Sequence, residues 1–141
     1  MKINLKGKTS LICASSRGLG FSCAENLASS GSNIILTGRS KENLEVAKSA
    51  ILKKISNDNG AKIIISTIQV NLYNRANIKA FLNKLADYPA LDILVLNNGG
   101  PAPGNFESFE SVSDFEKKSS AIPYAATSLI KHVPPSMRKN K

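Results

Sequence analysis

The sequence predicts an α/β fold, a doubly wound parallel sheet cut short after about four strands and the helix that follows. Three observations carry this. Short apolar runs rich in β-branched residues alternate with longer stretches of helical periodicity, and the alternation repeats four times. The connections are of ordinary length, and a strand–helix–strand order builds a parallel sheet because its right-handed crossovers lay helices on the faces. The first strand also runs directly into a turn rich in glycine and serine that opens a helix.

Each element has its own signal. Residues 9–14 form a compact apolar run, as expected of a buried strand. A helix follows over 19–29, with Phe21, Ala24, Leu27 and Ala28 on one face and Gly31 as its stop. Residues 33–37, Asn-Ile-Ile-Leu-Thr, read as the second strand. Ser40 suits the cap of a second helix carrying Leu44, Ala47, Ile51, Leu52 and Ile55, which Asn57-Asp58-Asn59-Gly60 breaks. The third strand is expected over 62–68, the third helix over 74–86 with Ile78, Phe81, Leu82 and Leu85 inward, and the fourth strand over 91–96. Beyond Pro101 the pattern weakens. Residues 112–131 keep some helical period but contain Pro123, which costs about 3 kcal/mol in a helix interior. Residues 1–141 thus read as one partial domain, with a well-formed core over 1–100 and a loop and irregular helical tail over 101–141.

Composition narrows the function classes. Hydrophobic residues at 42% and charged residues at 21% are globular proportions. No apolar run approaches the roughly 20 residues of a membrane span, and the first residues lack a signal-peptide pattern, so a cytoplasmic protein is expected. The two cysteines, Cys13 and Cys23, are too few for a disulfide framework and lack zinc-site spacing; both are expected as buried thiols. The net charge of +9 favours anionic partners, but the lysines are spread along the chain without interleaved aromatics, so a solvated basic surface accounts for it better than specific nucleic-acid binding.

The first turn, Cys13-Ala14-Ser15-Ser16-Arg17-Gly18-Leu19-Gly20, is where chemistry enters. Glycines let a backbone approach an anion, and a helix N-terminus offers free N–H groups and the positive end of its dipole. The second strand ends Thr37-Gly38-Arg39, without the acid that would bond a ribose 2′-hydroxyl. Arg39, joined by Arg17, instead suits a 2′-phosphate, since a guanidinium matches phosphate bidentately. This favours NADP(H) over NAD(H).

With these residues in hand, the chain resembles the short-chain dehydrogenase/reductase family and its Rossmann-type fold. Residues 13–20 resemble that family's Thr-Gly-x-x-x-Gly-x-Gly turn. Asn97-Asn98-Gly99-Gly100 resembles its Asn-Asn-Ala-Gly motif, which lines the adenine side of the cofactor, and Thr37-Gly38-Arg39 resembles NADP-preferring members such as 3-oxoacyl-carrier-protein reductases. The resemblance implies cofactor contacts from Ser15, Arg17, Gly18, Leu19, Gly20, Arg39, Asn71, Asn97 and Gly99.

Departures qualify it. Ala14 replaces the turn's first glycine, Asn71 stands where an aspartate is usual, and Ile122 falls near the helix asparagine that holds a proton-relay water. Family catalysis uses a Tyr-x-x-x-Lys pair and an upstream serine. Tyr73, Tyr88 and Tyr124 are followed four residues on by Asn77, Asp92 and Ser128, so no catalytic residue is assigned. His132 has no partner at a recognisable spacing, and Glu107, Glu110, Asp114 and Glu116 read as the acidic start of a helix rather than a metal site. Three functions are then open: the NADP(H)-binding part of an oxidoreductase that is catalytically incomplete by itself, a non-catalytic nucleotide-binding remnant, or a basic anion-binding protein. An exposed parallel sheet edge would also favour self-association or pairing with a missing C-terminal half.

Overall fold

The computed structural model describes residues 3–57, 62–88, 91–98, 107, 110–133 and 137. Strands β1 (Thr9–Ile12), β2 (Asn33–Gly38), β3 (Ile65–Gln69) and β4 (Ile93–Val95) alternate with helices α1 (Gly18–Ser29), α2 (Lys41–Asn57), α3 (Arg75–Leu85) and α4 (Val112–His132). All strand pairs are parallel and the order is β3-β2-β1-β4. The chain therefore winds outward from β1 through β2 to β3, then returns to place β4 on the other side of β1.

The period-2 alternation of the strands sorts their side chains between two cores. Leu11, Ile35 and Ile68 face α3 and α4, where they meet Ile78, Phe81, Ala125 and Leu129. Ile12, Leu36 and Ile65 face α1 and α2, meeting Ala24, Ala28, Leu44, Ala47 and Ile51. The register puts Leu11 beside Ile35 and Ile12 beside Leu36, so the two central strands present buried apolar residues to both faces, with Thr9, Ser10 and Thr37 buried as polar residues among them. Helices on both faces of a parallel sheet make the fold the doubly wound type expected.

Local signals set several boundaries. Gly31 adopts φ +94°, and the bonds Gly31 N–H to Ala28 O (2.9 Å) and Ser32 N–H to Leu27 O (3.1 Å) close α1 in a Schellman motif. Ser40 Oγ accepts Asn43 N–H at 3.2 Å, and Asn74 Oδ1 accepts Asn77 N–H at 3.1 Å, capping α2 and α3.

Several expectations change; the first strand, for instance, ends at Ile12 rather than residue 14. The third strand begins at Ile65 rather than residue 62, because Ile64 N–H donates to the side chain of Asn33 (2.9 Å) and Ile64 is 67% exposed. The fourth strand is limited to Ile93–Val95; Asp92 still donates its N–H to Thr9 O (2.9 Å), but it is its carboxylate and not its carbonyl that accepts Thr9 N–H (2.9 Å), alongside Lys8 Nζ (3.0 Å). Leu52 and Cys23 are exposed, the latter because α1 buries Gly20, Ala24 and Ala28, leaving position 23 about 100° off that face. The periodicity broken at Pro123 belongs to a continuous helix over Val112–His132. Its buried residues among those described, Ala125, Leu129 and then Val133, lie beyond the proline; Pro123 itself is exposed, and the helix runs through it with the one backbone donor that proline lacks forgone.

Among the described residues β4 has a partner on one side only, and its three residues are half-buried although all are apolar. No helix among them is long and apolar enough to cross a membrane.

Candidate functional site

The point where the winding reverses, between β1 and β4, leaves a crevice beyond the carboxyl ends of the strands. A cavity of about 280 Å³ occupies it. Its walls come from the segment at the end of each strand: Ala14 and residues 16–19 after β1, Thr37 to Arg39 at the end of β2, Val70, Leu72 and Tyr73 after β3, and Asn97 and Asn98 after β4.

A buried polar clamp shapes the first turn. Ser15 Oγ donates to Ile12 O (2.9 Å) and accepts Thr37 N–H (3.0 Å), while Ser15 N–H donates to Thr37 O (2.8 Å). Thr37 Oγ1 accepts Ala14 N–H and donates to Ile12 O, each at 3.2 Å. These bonds fasten the turn to β2 and satisfy groups that would cost about 1–3 kcal/mol each if buried unpaired. From β4, Asn97 Nδ2 donates to Ala14 O (3.1 Å) and Cys13 N–H to Val95 O (3.0 Å). Gly20 makes this convergence possible. A Cβ there would overlap the Ala14 carbonyl and come within 2.8 Å of Asn97 Nδ2, so helix, turn and β4 meet only around a glycine.

The turn is also strained. Ala14 adopts φ +47°, a left-handed conformation in which a Cβ crowds the backbone, and Gly18 adopts φ +61°. Residue 14 is thus a glycine position held by alanine. Beneath it, burial pushes the Cys13 thiol up to about 12, against the opposing pull of Asn97 N–H and the Thr37 hydroxyl.

The electrostatics point to an anion. Arg17, the residue preceding α1, supplies no side-chain cap to the helix, and the first turn carries no acid. No carboxylate is among the lining residues, and among the described residues none lies within ion-pair distance of Arg17 or Arg39. Val70 and Leu72 are buried apolar residues on the β3 side of the same cavity. One end of the crevice thus offers cations and helix amides, and another an apolar wall.

Of the residues expected to contact cofactor, Arg17, Gly18, Leu19, Arg39 and Asn97 line this crevice. Ser15 does not: it is fully buried beneath the turn in the clamp with Thr37. Gly20 serves packing rather than the surface, and Asn71 spends its Oδ1 on Tyr73 N–H (3.0 Å), shaping the entry to α3. Gly99 lies outside the described residues. Ser16, Thr37, Gly38, Val70, Leu72, Tyr73 and Asn98 also line the crevice, beyond the contacts expected from sequence. Their common signal is position, at or just after the end of a parallel strand.

A doubly wound parallel sheet with a glycine-bearing turn at its switch point defines a Rossmann-type α/β protein. Comparison with known proteins agrees. The model of the short chain dehydrogenase family matches residues 8–141, and the chain belongs to that family. A 3-oxoacyl-[acyl-carrier-protein] reductase of Aquifex aeolicus is 40% identical over 100 residues, covering 70% of this chain and 38% of that protein. A fatty acyl-CoA reductase of Acinetobacter baylyi is 29% identical over 140 residues, 98% of this chain and 45% of that protein. Among solved structures, the L-sorbose reductase of Gluconobacter frateurii, complexed with NADPH and L-sorbose, superposes with a TM-score of 0.82 at 23% identity, covering 99% of this chain and 51% of that one. A metagenomic short-chain oxidoreductase in complex with NADP gives 0.76 at 25% identity, covering 94% and 57%. The chain spans about half the length of these relatives or less.

Proposed function

We propose that this chain is the NADP(H)-binding portion of a short-chain dehydrogenase/reductase-type oxidoreductase that interconverts a carbonyl and an alcohol by hydride transfer. The observation that carries the reading is the crevice beyond the strand ends, where the described lining residues include Arg17, Arg39 and a helix N-terminus without a side-chain cap, and no carboxylate. Arg39 and Arg17 would hold the 2′-phosphate, Gly18 and Leu19 the pyrophosphate at the start of α1, and Val70 and Leu72 would flank the adenine. The bound nicotinamide supplies the hydride chemistry. The complexes of similar proteins with NADP or NADPH support this cofactor.

Catalytic incompleteness of the chain by itself belongs to the same reading, because none of the three tyrosines is followed by lysine at the fourth position. The half-buried apolar strand β4 supports pairing with a complementary C-terminal half, or self-association, at that edge. A cytoplasmic setting fits the same reading.

Calorimetric titration with NADPH, NADH and inorganic polyphosphate tests it. NADPH should bind at least about tenfold more tightly than NADH, the least that one charge-assisted phosphate contact contributes. Equal affinity for both nucleotides, with polyphosphate as tight and steeply weakened by salt, would instead establish a generic anion binder carried by the +9 charge.

A further inference from the structure

Arg39 is exposed, and an exposed arginine on a loop discriminates a phosphate only if its backbone is held. Gly38 is fixed by the sheet: its carbonyl accepts Val70 N–H at 2.8 Å. Ser40 is fixed by α2, whose Leu44 N–H bonds its carbonyl at 3.1 Å and whose Asn43 N–H bonds its hydroxyl at 3.2 Å. Between these anchors the Arg39 carbonyl accepts a hydrogen bond from Gln69 Nε2 at 2.9 Å. Gln69 is the last residue of β3 and is paired in register with Gly38, so the sheet delivers its amide to the neighbouring peptide. The bond spans 30 positions of sequence and joins β3 to the loop that ends β2.

The chemistry of the residue matters as much as its place. An amide donates to the carbonyl and brings no charge. Glutamate here could not donate to that carbonyl and would set a negative charge against the peptide that carries the guanidinium that is to meet a phosphate.

From this we infer that Gln69 is a positioning residue for cofactor choice, fixing the Arg39 peptide so that its guanidinium is presented to a 2′-phosphate. The inference rests on the assignment of Arg39 to that phosphate. Gln69 touches no cofactor atom in this account. It acts through Arg39, and its contribution is to the preference between phosphorylated and unphosphorylated riboses.

The test uses small probes that need only the adenosine end of the crevice, 2′,5′-ADP and 5′-AMP, titrated against the full chain. Gln69→Met keeps the side chain's length and removes the donor. It should lower the preference for 2′,5′-ADP over 5′-AMP by about three- to tenfold, the worth of one net hydrogen bond, and leave 5′-AMP affinity unchanged. Gln69→Glu should lower the preference at least as far. Arg39→Ala should abolish it, and adding Gln69→Met to Arg39→Ala should cost nothing more. Thermal unfolding of each variant checks that the fold is retained.

If Arg39→Ala abolishes the preference but Gln69→Met leaves it intact, the positioning role is wrong and the phosphate assignment stands. If Arg39→Ala leaves the preference unchanged, both fall. A further loss from Gln69→Met in the Arg39→Ala background would mean that Gln69 acts on the ligand itself, which also overturns the role.

Discussion

Replacing Ala14 by glycine should stabilise this protein, although it removes a methyl group from a turn at the centre of the site. Ala14 sits at φ +47° between the buried Cys13 and the clamped Ser15. A left-handed conformation costs an L-residue with a Cβ roughly 1–2 kcal/mol, and glycine is free of that cost. Glycine's greater freedom in the unfolded chain returns about 0.5–1 kcal/mol. The half-exposed alanine methyl contributes little burial to offset the gain. The balance is a stabilisation of about 0.5–1 kcal/mol, or roughly 2–4 °C in Tm for a chain of this size. Urea unfolding followed by circular dichroism measures it, with an unchanged m-value confirming that the native state is altered and not the compactness of the unfolded one. Ala14→Val should move the opposite way, by more than about 1 kcal/mol, because a β-branched side chain fits that conformation worst. Destabilisation by Ala14→Gly, or indifference to both substitutions, would refute the reasoning: residue 14 would then not be held left-handed in solution.

Gly20→Ala should cost about 2–3 kcal/mol and weaken nucleotide binding, since the added methyl meets backbone at Ala14 and the Asn97 amide rather than a movable side-chain tip; unfolding free energy and an NADPH titration measure both. The Cys13 thiol sets a pH dependence. The folded protein keeps that proton up to about 12, whereas an ordinary thiol loses it near 9.0, so the stabilisation is fully present below pH 9 and is lost as pH rises through the interval to 12. The stability difference between wild type and Cys13→Ala should therefore drift in the variant's favour by up to about 1.4 kcal/mol per pH unit above 9, and a flat difference would show that the folded thiol loses its proton in the same range as an ordinary one.

Much of the fold was legible because its signals are local. Gly31 ends α1, Ser40 caps α2, and each run of Ile and Leu in the strands declares itself by composition. The features that the residues alone did not reveal depend on contacts across the chain. The start of β3 is set by the side chain of Asn33, 31 residues earlier in sequence, and no property of residues 62–64 announces it. Continuity of α4 through Pro123 reflects where its buried face lies, which periodicity registers only weakly. The site divides in the same manner. Arg17, Gly18, Leu19, Arg39 and Asn97 belong to short motifs and are legible through them. Val70, Leu72 and Tyr73 have no motif and reach the crevice only because β3 ends beside β2. Ser15 and Gly20 belong to the right turn but serve its internal bonding, a distinction between holding a loop and lining it that sequence spacing does not encode.

The half-covered strand β4 has a thermodynamic consequence for the crevice. Asn97, which ties the first turn to β4, and Asn98 beside it both follow a strand that, among the described residues, is bonded on one side only, while β1 and β2 are bonded on both. Amide hydrogens of β4 should exchange faster than those of β1 and β2, giving the sheet a gradient of local opening that falls toward its interior. A nucleotide seated against Asn97 and Asn98 opposes that opening, and so does anything that completes the β4 edge. If the proposed pairing at that edge occurs, the two events would share one free energy: filling the crevice would strengthen association, and association would tighten the crevice by the same factor.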